Sequence, residues 1–182
     1  TDDITINVDE LPTTADAGLD QTICSPTATL AANTPLIGTG TWTVIAGTGA
    51  VTSVNDPNSG VTGLTTGVNT FRWTITNGTC TPSTDDITIN VDELPTTADA
   101  GLDQTICSPT ATLAANTPLI GTGTWTVIAG TASVTSVNDP NSGVTGLTTG
   151  INTFRWTITN GTCTPSTDDI TINVDELPTA AD

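Results

Sequence analysis

The sequence predicts an all-β protein made of two tandem antiparallel β-sandwiches of about 83 residues each, and three observations lead to this prediction. The segment TDDITINVDELPT occurs three times, at Thr1–Thr13, Thr84–Thr96 and Thr167–Thr179. The sequence between these copies also repeats, so that Trp42 recurs as Trp125, 83 positions later. Short alternating apolar runs are separated by turn residues roughly every eight to twelve positions, and no stretch has the pattern of a helix.

The period divides the chain into four segments. We predict that residues 1–10 are the last strand of a preceding repeat, 11–94 the first repeat, 95–177 the second, and 178–182 the start of a linker to a next repeat. The chain therefore reads as a slice of a longer array. We expect the strand Asp2–Val8 to complete the sheet of a preceding repeat, either within one chain or from another subunit.

Each repeat is predicted to contain seven short strands, a number typical of an antiparallel sandwich. In the first repeat we expect them at Asp20–Ile23, Thr27–Ala31, Thr41–Ala46, Val51–Val54, Val61–Leu64, Asn69–Thr76 and in the motif that begins at Thr84.

Alternation within these strands predicts which side chains face the core. Trp42, Val44 and Ala46 are expected to face inward in the third strand, and Trp73 in the sixth. Arg72 is expected to face outward and to pair with an acid on the neighbouring strand. All four tryptophans, which include Trp125 and Trp156, are therefore expected in the cores and not on a sugar-stacking surface.

Composition excludes several classes of function. The chain has 19 acidic residues, two cations, no histidine and a net charge of −17, which disfavours nucleic acid and anionic membrane surfaces as partners. No run approaches the roughly 20 apolar residues of a membrane helix. A Ser–His or Cys–His catalytic arrangement is excluded without histidine. Asp85 and Asp86 are adjacent in a strand and face opposite sides, so they are not a catalytic pair. We predict no enzymatic activity and no required cofactor.

Acidic residues cluster near the expected joints between repeats. Two interpretations stay open: a Ca²⁺ site, since calcium takes six to eight oxygen ligands, and an ordinary solvated linker, which the absence of a calcium-loop spacing favours. The residues concerned are Asp9, Glu10, Asp16, Asp20, Asp92, Glu93, Asp99 and Asp103.

The runs ADAGLDQTIC, TATLAA, GTWTV, GLTTGVNTFRWTITNGTC and DDITINV resemble the PKD-like, Ig-like repeats of large secreted surface proteins of Bacteroidetes. The resemblance covers the whole repeat. It implies an Ig-like fold, an extracellular or cell-surface location, export by the type IX route, and a stalk role in adhesins or gliding-associated proteins.

Two cysteines per repeat, 56 positions apart in Cys24 and Cys80, superficially match an immunoglobulin disulfide. In that topology, however, the mid-strand places are taken by Leu30 and Trp73, and the two cysteines fall at opposite poles. Their separation of roughly 40 Å far exceeds the ~7 Å between Cα atoms that a disulfide allows. We therefore expect Cys24 to bond Cys163.

In the same hypothesis Cys80 and Cys107 bond the neighbouring repeats before and after. An intradomain bond stays open as the alternative, in a topology other than the one assumed, and four free thiols would be unusual in an extracellular chain.

The predicted function is a non-catalytic stalk, adhesin shaft or filament. Its expected partners are neighbouring repeats or identical subunits, with a cell-surface or polysaccharide target. The alternative is a carbohydrate-binding or spacer module of a secreted multidomain enzyme, which exposed tryptophans would favour.

Overall fold

The protein forms two compact units, Thr1–Asp92 and Glu93–Asp182, in a computed structural model that describes residues 2–176. Every regular element within those residues is a β-strand, which confirms the all-β prediction. None of the described residues forms a helix that could span a membrane. The predicted linker at 178–182 lies outside the described residues.

Each unit contains seven strands. Those of unit 1 are β1 (Gln21–Ile23), β2 (Thr27–Thr29), β3 (Thr39–Ala46), β4 (Ala50–Val51), β5 (Gly60–Thr62), β6 (Gly67–Thr76) and β7 (Ser83–Val91). Those of unit 2 are β8 (Gln104–Ile106), β9 (Thr110–Thr112), β10 (Thr122–Ala129), β11 (Ser133–Val134), β12 (Gly143–Thr145), β13 (Gly150–Thr159) and β14 (Ser166–Val174).

The strands form one four-stranded and one three-stranded sheet in each unit. In unit 1 the sheet orders are β1-β7-β6-β3 and β2-β5-β4, and unit 2 repeats them with β8-β14-β13-β10 and β9-β12-β11. All pairings are antiparallel except β1 with β7 and β8 with β14, which are parallel. β7 is therefore an inner strand of its sheet, hydrogen-bonded to β6 on one side and to β1 on the other.

The core lies between the two sheets and is built around a tryptophan pair. The ring centroids of Trp42 and Trp73 are 5.0 Å apart, and both side chains are buried. Phe71 and Ile75 from β6 surround them, together with Ile87, Ile89 and Val91 from β7, all at 7% exposure or less. The predicted burial of the tryptophans is confirmed in both units.

The outer face of the large sheet carries an ion pair between β6 and β7. Arg72 lies opposite Asp86 in the register, and its guanidinium donates to both carboxylate oxygens at 2.6 and 2.7 Å. The prediction that Arg72 pairs with an acid on the next strand is confirmed. About two fifths of each side chain is exposed, so the pair adds at most about 1 kcal/mol to stability.

The end of β3 departs from the prediction. Val44 is 43% exposed and Ala46 is also exposed, although both were expected to face inward with Trp42. β3 is an edge strand, and its pairing with β6 shifts register between Val44 and Ala46. Val44 keeps its place opposite Phe71 but is exposed at the edge of the sheet, whereas the register shift comes after Val44 and breaks the alternation at Ala46.

The two cores differ at one position. Gly49 of unit 1 corresponds to Ala132 of unit 2, which is 6% exposed and belongs to the core. A Cβ at Gly49 would meet Leu64 and Phe71 at 2.8 Å. Unit 2 therefore accommodates by small shifts a methyl group that unit 1 lacks.

Residues 2–20 precede the first strand and have no regular structure. The leading copy of the repeated motif presents Ile4, Ile6 and Val8 at 86, 77 and 84% exposure. The rest of this segment packs on its unit: the backbone N–H of Ala15 donates to Ser83, and that of Ala17 donates to Asp85.

Candidate functional site: the terminal clamp

One end of each unit holds the chain segment that enters it, and we call this arrangement the terminal clamp. In unit 1 it consists of Asp9 and Glu10 on the entering segment and of Asn77, Thr79 and Cys80 on the β6–β7 turn. The Asp9 carboxylate accepts hydrogen bonds from the backbone N–H and the hydroxyl of Thr79 at 2.7 and 3.0 Å. The Asn77 side-chain amide donates to the Glu10 carbonyl oxygen at 2.8 Å.

The local sequence of the turn makes the clamp feasible. Asn-Gly is a sequence that favours a hairpin turn, and Gly78 has φ of +51°, a conformation that glycine adopts readily. A Cβ at Gly78 would overlap the Asp9 carboxylate. Glycine is thus required both by the backbone conformation and by the close approach of Asp9. The Asn77 carbonyl also accepts from the backbone N–H of Cys80 at 3.1 Å.

Unit 2 repeats this geometry. The Asn160 side-chain amide donates to the Glu93 carbonyl oxygen at 2.7 Å, and the Cys163 Sγ lies 3.3 Å from the same oxygen. Gly161 has φ of +49°. The contact of Asn77 and Asn160 with the entering segment was not predicted from the sequence. On the other side of the contact, the sequence offers only the Asp-Glu pair within each copy of the repeated motif, and this pair does not indicate the turn that binds it.

The clamp lowers the pKa of Asp9 below its ordinary value of 3.8. The main cause is the hydrogen bond from the backbone N–H of Thr79, and the second is the bond from its hydroxyl; desolvation opposes them. Both bonds favour the ionised carboxylate.

We expect acidification to release Asp9 from Thr79. Because the folded-state pKa is lowered, the stabilisation is fully present above the unfolded-state pKa of about 3.9 and is lost as pH falls through the folded-state pKa. The NMR shift of the Thr79 amide should therefore stay constant above about pH 5 and titrate with a midpoint below 3.8. In Asp9→Asn the same shift should not titrate in this range. A midpoint at or above 3.8 in the parent would contradict the clamp geometry.

The cysteines of unit 1 lie at opposite ends of its sheet. Cys24 directly follows β1, beside the end of β7, where the backbone N–H of Asp92 donates to the Ile23 carbonyl. The Cys80 Sγ lies 3.3 Å from the Glu10 carbonyl oxygen, in the clamp. The nine residues of β7 separate these ends by roughly 26 Å, which excludes a bond between Cys24 and Cys80.

The four cysteines differ in oxidation state. Cys24 and Cys163 are disulfide-bonded, whereas Cys80 and Cys107 are thiols. Cys107 is exposed and borders a surface hollow formed with Pro109, Leu147 and Val174.

The acids considered as calcium ligands mostly hold nearby backbone or side-chain groups of their own unit. Asp16 accepts from the backbone N–H of Gly18 at 2.9 Å, and Asp20 from that of Thr88 at 2.8 Å. Asp99 and Asp103 repeat these bonds in unit 2. Asp92 accepts from Asn90, while Asp9 and the backbone of Glu10 and Glu93 belong to the clamps. Within residues 2–176 no three Asp, Glu, Cys or His side chains are grouped to hold a metal ion.

Comparison with known proteins identifies the fold. No family model and no curated protein matches the chain. Among solved structures, it is similar to the immunoglobulin domains 1–4 of Sidekick-1 (14% identity, TM-score 0.55), covering 94% of this chain and 51% of that one. It is also similar to the insect immune protein hemolin (13% identity, TM-score 0.52), covering 96% and 49%.

The chain thus spans about half the length of these two structures. A PKD domain from the KIAA 1837 protein matches 46% of the chain and 92% of its own length, at 23% identity and a TM-score of 0.40. Identities this low show the fold alone. The fold is Ig-like.

Proposed function

We propose that the chain is a non-catalytic, load-bearing segment of an extracellular bacterial stalk, adhesin shaft or filament. The observation that carries the proposal is the presence of one cysteine at each end of the sandwich, with Cys24 and Cys163 in the disulfide form. Covalent bonds that join one repeat to the next would carry tension without unfolding either sandwich. The similarity to immunoglobulin domains, including hemolin with its "implications for homophilic adhesion", supports a structural or adhesion module.

The proposed staple joins Cys24 to Cys163. Pairing within a unit is opposed by the distance between its two ends. Cys107 corresponds to Cys24 and Cys80 corresponds to Cys163 in the repeat. Of the two remaining thiols, Cys107 is therefore suited to the same bond with a following repeat, and Cys80 to the same bond with a preceding repeat. Such a chain would be cross-linked along its whole length.

The proposed location is outside the cell, since disulfides form and persist in oxidising compartments. The partners are neighbouring repeats or identical subunits, with a cell-surface or polysaccharide target. The assignment to Bacteroidetes and to type IX export rests on the sequence resemblance. A carbohydrate-binding role is less favoured, because all four tryptophans are at most 2% exposed.

Trypsin tests the staple directly, because Arg72 and Arg155 are the only cleavage sites in the chain. Cleavage yields fragments 1–72, 73–155 and 156–182, in which Cys24, the Cys80/Cys107 pair and Cys163 are separated. After the thiols are alkylated under denaturing conditions, we expect 1–72 linked to 156–182, with 73–155 unlinked and doubly alkylated. Intradomain bonds, Cys24–Cys80 and Cys107–Cys163, would instead join all three fragments. That result, or any link between 1–72 and 73–155, would contradict the proposal.

Stretching single molecules tests the mechanical role. The staple would shield residues 25–162 from extension, a length of about 470 Å at ~3.4 Å per residue. We expect this length to be released only after reduction. In Cys24→Ser it should be released without reductant, whereas Cys107→Ser, the matched control, should behave as the parent. Full extension of the oxidised parent would overturn the proposal.

A further inference from the structure

The leading segment, residues 2–8, has the sequence of a core strand but none of its packing. Its counterparts in β7, Ile87, Ile89 and Val91, are buried to 7% exposure or less. The same side chains in the leading copy, Ile4, Ile6 and Val8, are between 77 and 86% exposed. The leading segment has the same sequence as the corresponding part of β7 and β14. Its exposed apolar side chains therefore fit the position that these strands occupy in their sheets.

The β7 position also provides polar contacts for the strand that occupies it. Arg72 binds Asp86 with two hydrogen bonds, the backbone N–H of Ala17 donates to Asp85, and Asp20 accepts from the backbone N–H of Thr88. The corresponding residues of the leading segment are Asp2, Asp3 and Thr5. The segment can therefore reproduce both the apolar and the polar contacts of the final strand.

The leading segment cannot fill the strand position of its own unit while the clamp is closed. In the β7 register Val91 lies opposite Gly67, so Val8 would have to do the same. Asp9, the next residue, is held by Thr79 beyond the opposite end of β6. The two ends of this ten-residue strand are roughly 30 Å apart, which adjacent residues cannot span.

The chain contains another strand that is followed by a clamped Asp-Glu pair, and its position shows where residues 2–8 belong. β7 is followed by Asp92 and then by Glu93, whose carbonyl is held by the clamp of unit 2, and β7 itself is part of the sheet of unit 1. Residues 2–8 are likewise followed by Asp9 and Glu10, which are held by the clamp of unit 1. By the same relation, residues 2–8 belong in a sheet other than that of the unit they enter.

We propose that residues 2–8 can act as a donor strand for a second copy of this chain: when β14 of that copy is displaced, they occupy its position between β13 and β8. Ile4 and Ile6 then take the places of Ile170 and Ile172. Asp3 pairs with Arg155, as Asp169 does in the isolated chain. This inference rests on the proposed repeat assembly and names its non-covalent joint: head-to-tail strand donation.

In the parent chain both strand positions are filled by the chain's own β7 and β14, so we expect it to be monomeric in reductant. The variant Ile170→Asp/Ile172→Asp makes its own final strand a poor occupant. In reductant, where no disulfide contributes, we expect it to form a concentration-dependent ladder of oligomers by size-exclusion chromatography with light scattering. Adding Ile4→Asp and Ile6→Asp should abolish the ladder. A synthetic peptide of residues 1–13, in excess, should dissolve it into monomers.

A monomeric Ile170→Asp/Ile172→Asp variant would overturn the proposal, and the peptide identifies the cause. If the peptide restores the tryptophan signal of unit 2, the position accepts the strand but the tethered segment does not donate it. If the peptide has no effect, the position does not accept this strand from another molecule. The tryptic disulfide pattern is measured independently, so failure of strand donation would leave the proposed stalk function untouched.

Discussion

Gly40→Ala should destabilise unit 1 by about 3 kcal/mol or more, at the upper end of the range for overpacked cores. Gly40 is buried in β3, and a Cβ there would overlap the six-membered ring of Trp73. Trp73 is fully buried and packs on Trp42. Neither ring can move aside without disrupting the rest of the core, because interiors are close-packed.

Urea unfolding followed by tryptophan fluorescence measures this effect within one molecule. Each unit contributes two of the four tryptophans, so the transition of unit 1 should move to lower urea while that of unit 2 stays in place. Gly123→Ala should move the other half of the signal. Gly60→Ala is the matched control, since its Cβ would meet only Thr52, at 3.2 Å; a shift of the midpoint as large as that of Gly40→Ala would refute the steric explanation.

Asn69→Ala should cost unit 1 about 2–4 kcal/mol. Asn69 is fully buried on the inner face of β6. Its side-chain amide donates to the carbonyls of Thr65 and Gly67 at 2.9 and 3.1 Å, and its oxygen accepts from the backbone N–H of Thr48 at 3.3 Å. Alanine removes these three hydrogen bonds, which are partly buried, and each such bond contributes about 0.5–1.5 kcal/mol net.

The same urea experiment measures the effect. Asn58→Ala, at an exposed turn position, is the control and should stay within about 0.5 kcal/mol of the parent. Asn152→Ala should reproduce the loss in unit 2, where the amide makes the equivalent bonds to Thr148 and Gly150. A loss below 1 kcal/mol in both units would mean that water replaces the side chain and that the loop does not depend on it.

The buried asparagine also shows how far sequence reasoning reaches. Asn69 precedes Phe71, Trp73 and Ile75 in strict alternation, so its inward direction was readable. Its partners were not, because they lie in a loop whose path depends on the whole sheet. The same alternation predicted the long strands and the tryptophan core correctly. It was wrong at Val44, which keeps its register but is exposed on an edge strand, and at Ala46, which follows a register shift.

The clamp lay beyond sequence reasoning for a related reason. Thr79 and Asp9 are 70 positions apart, and nothing local to either residue indicates the other. The Ig-like topology brings them together because the entering segment and the β6–β7 turn share one end of the sandwich. The repeat period and the motif predicted that the acidic residues gather near a joint. Only the structure shows that these residues accept hydrogen bonds from their own unit.

The turn between β6 and β7 has a further consequence for how the chain folds. To pair β6 with β7, the chain closes only the short loop 76–82; to pair β6 with the identical leading segment it would close the loop 9–66. This roughly eightfold difference in length is worth about 2 kcal/mol of closure entropy. The nearest copy therefore reaches the sheet first, even though the copies are chemically equivalent. Correct pairing in an array of near-identical repeats is thus set by proximity along the chain, and newly made repeats can fold one at a time as they emerge.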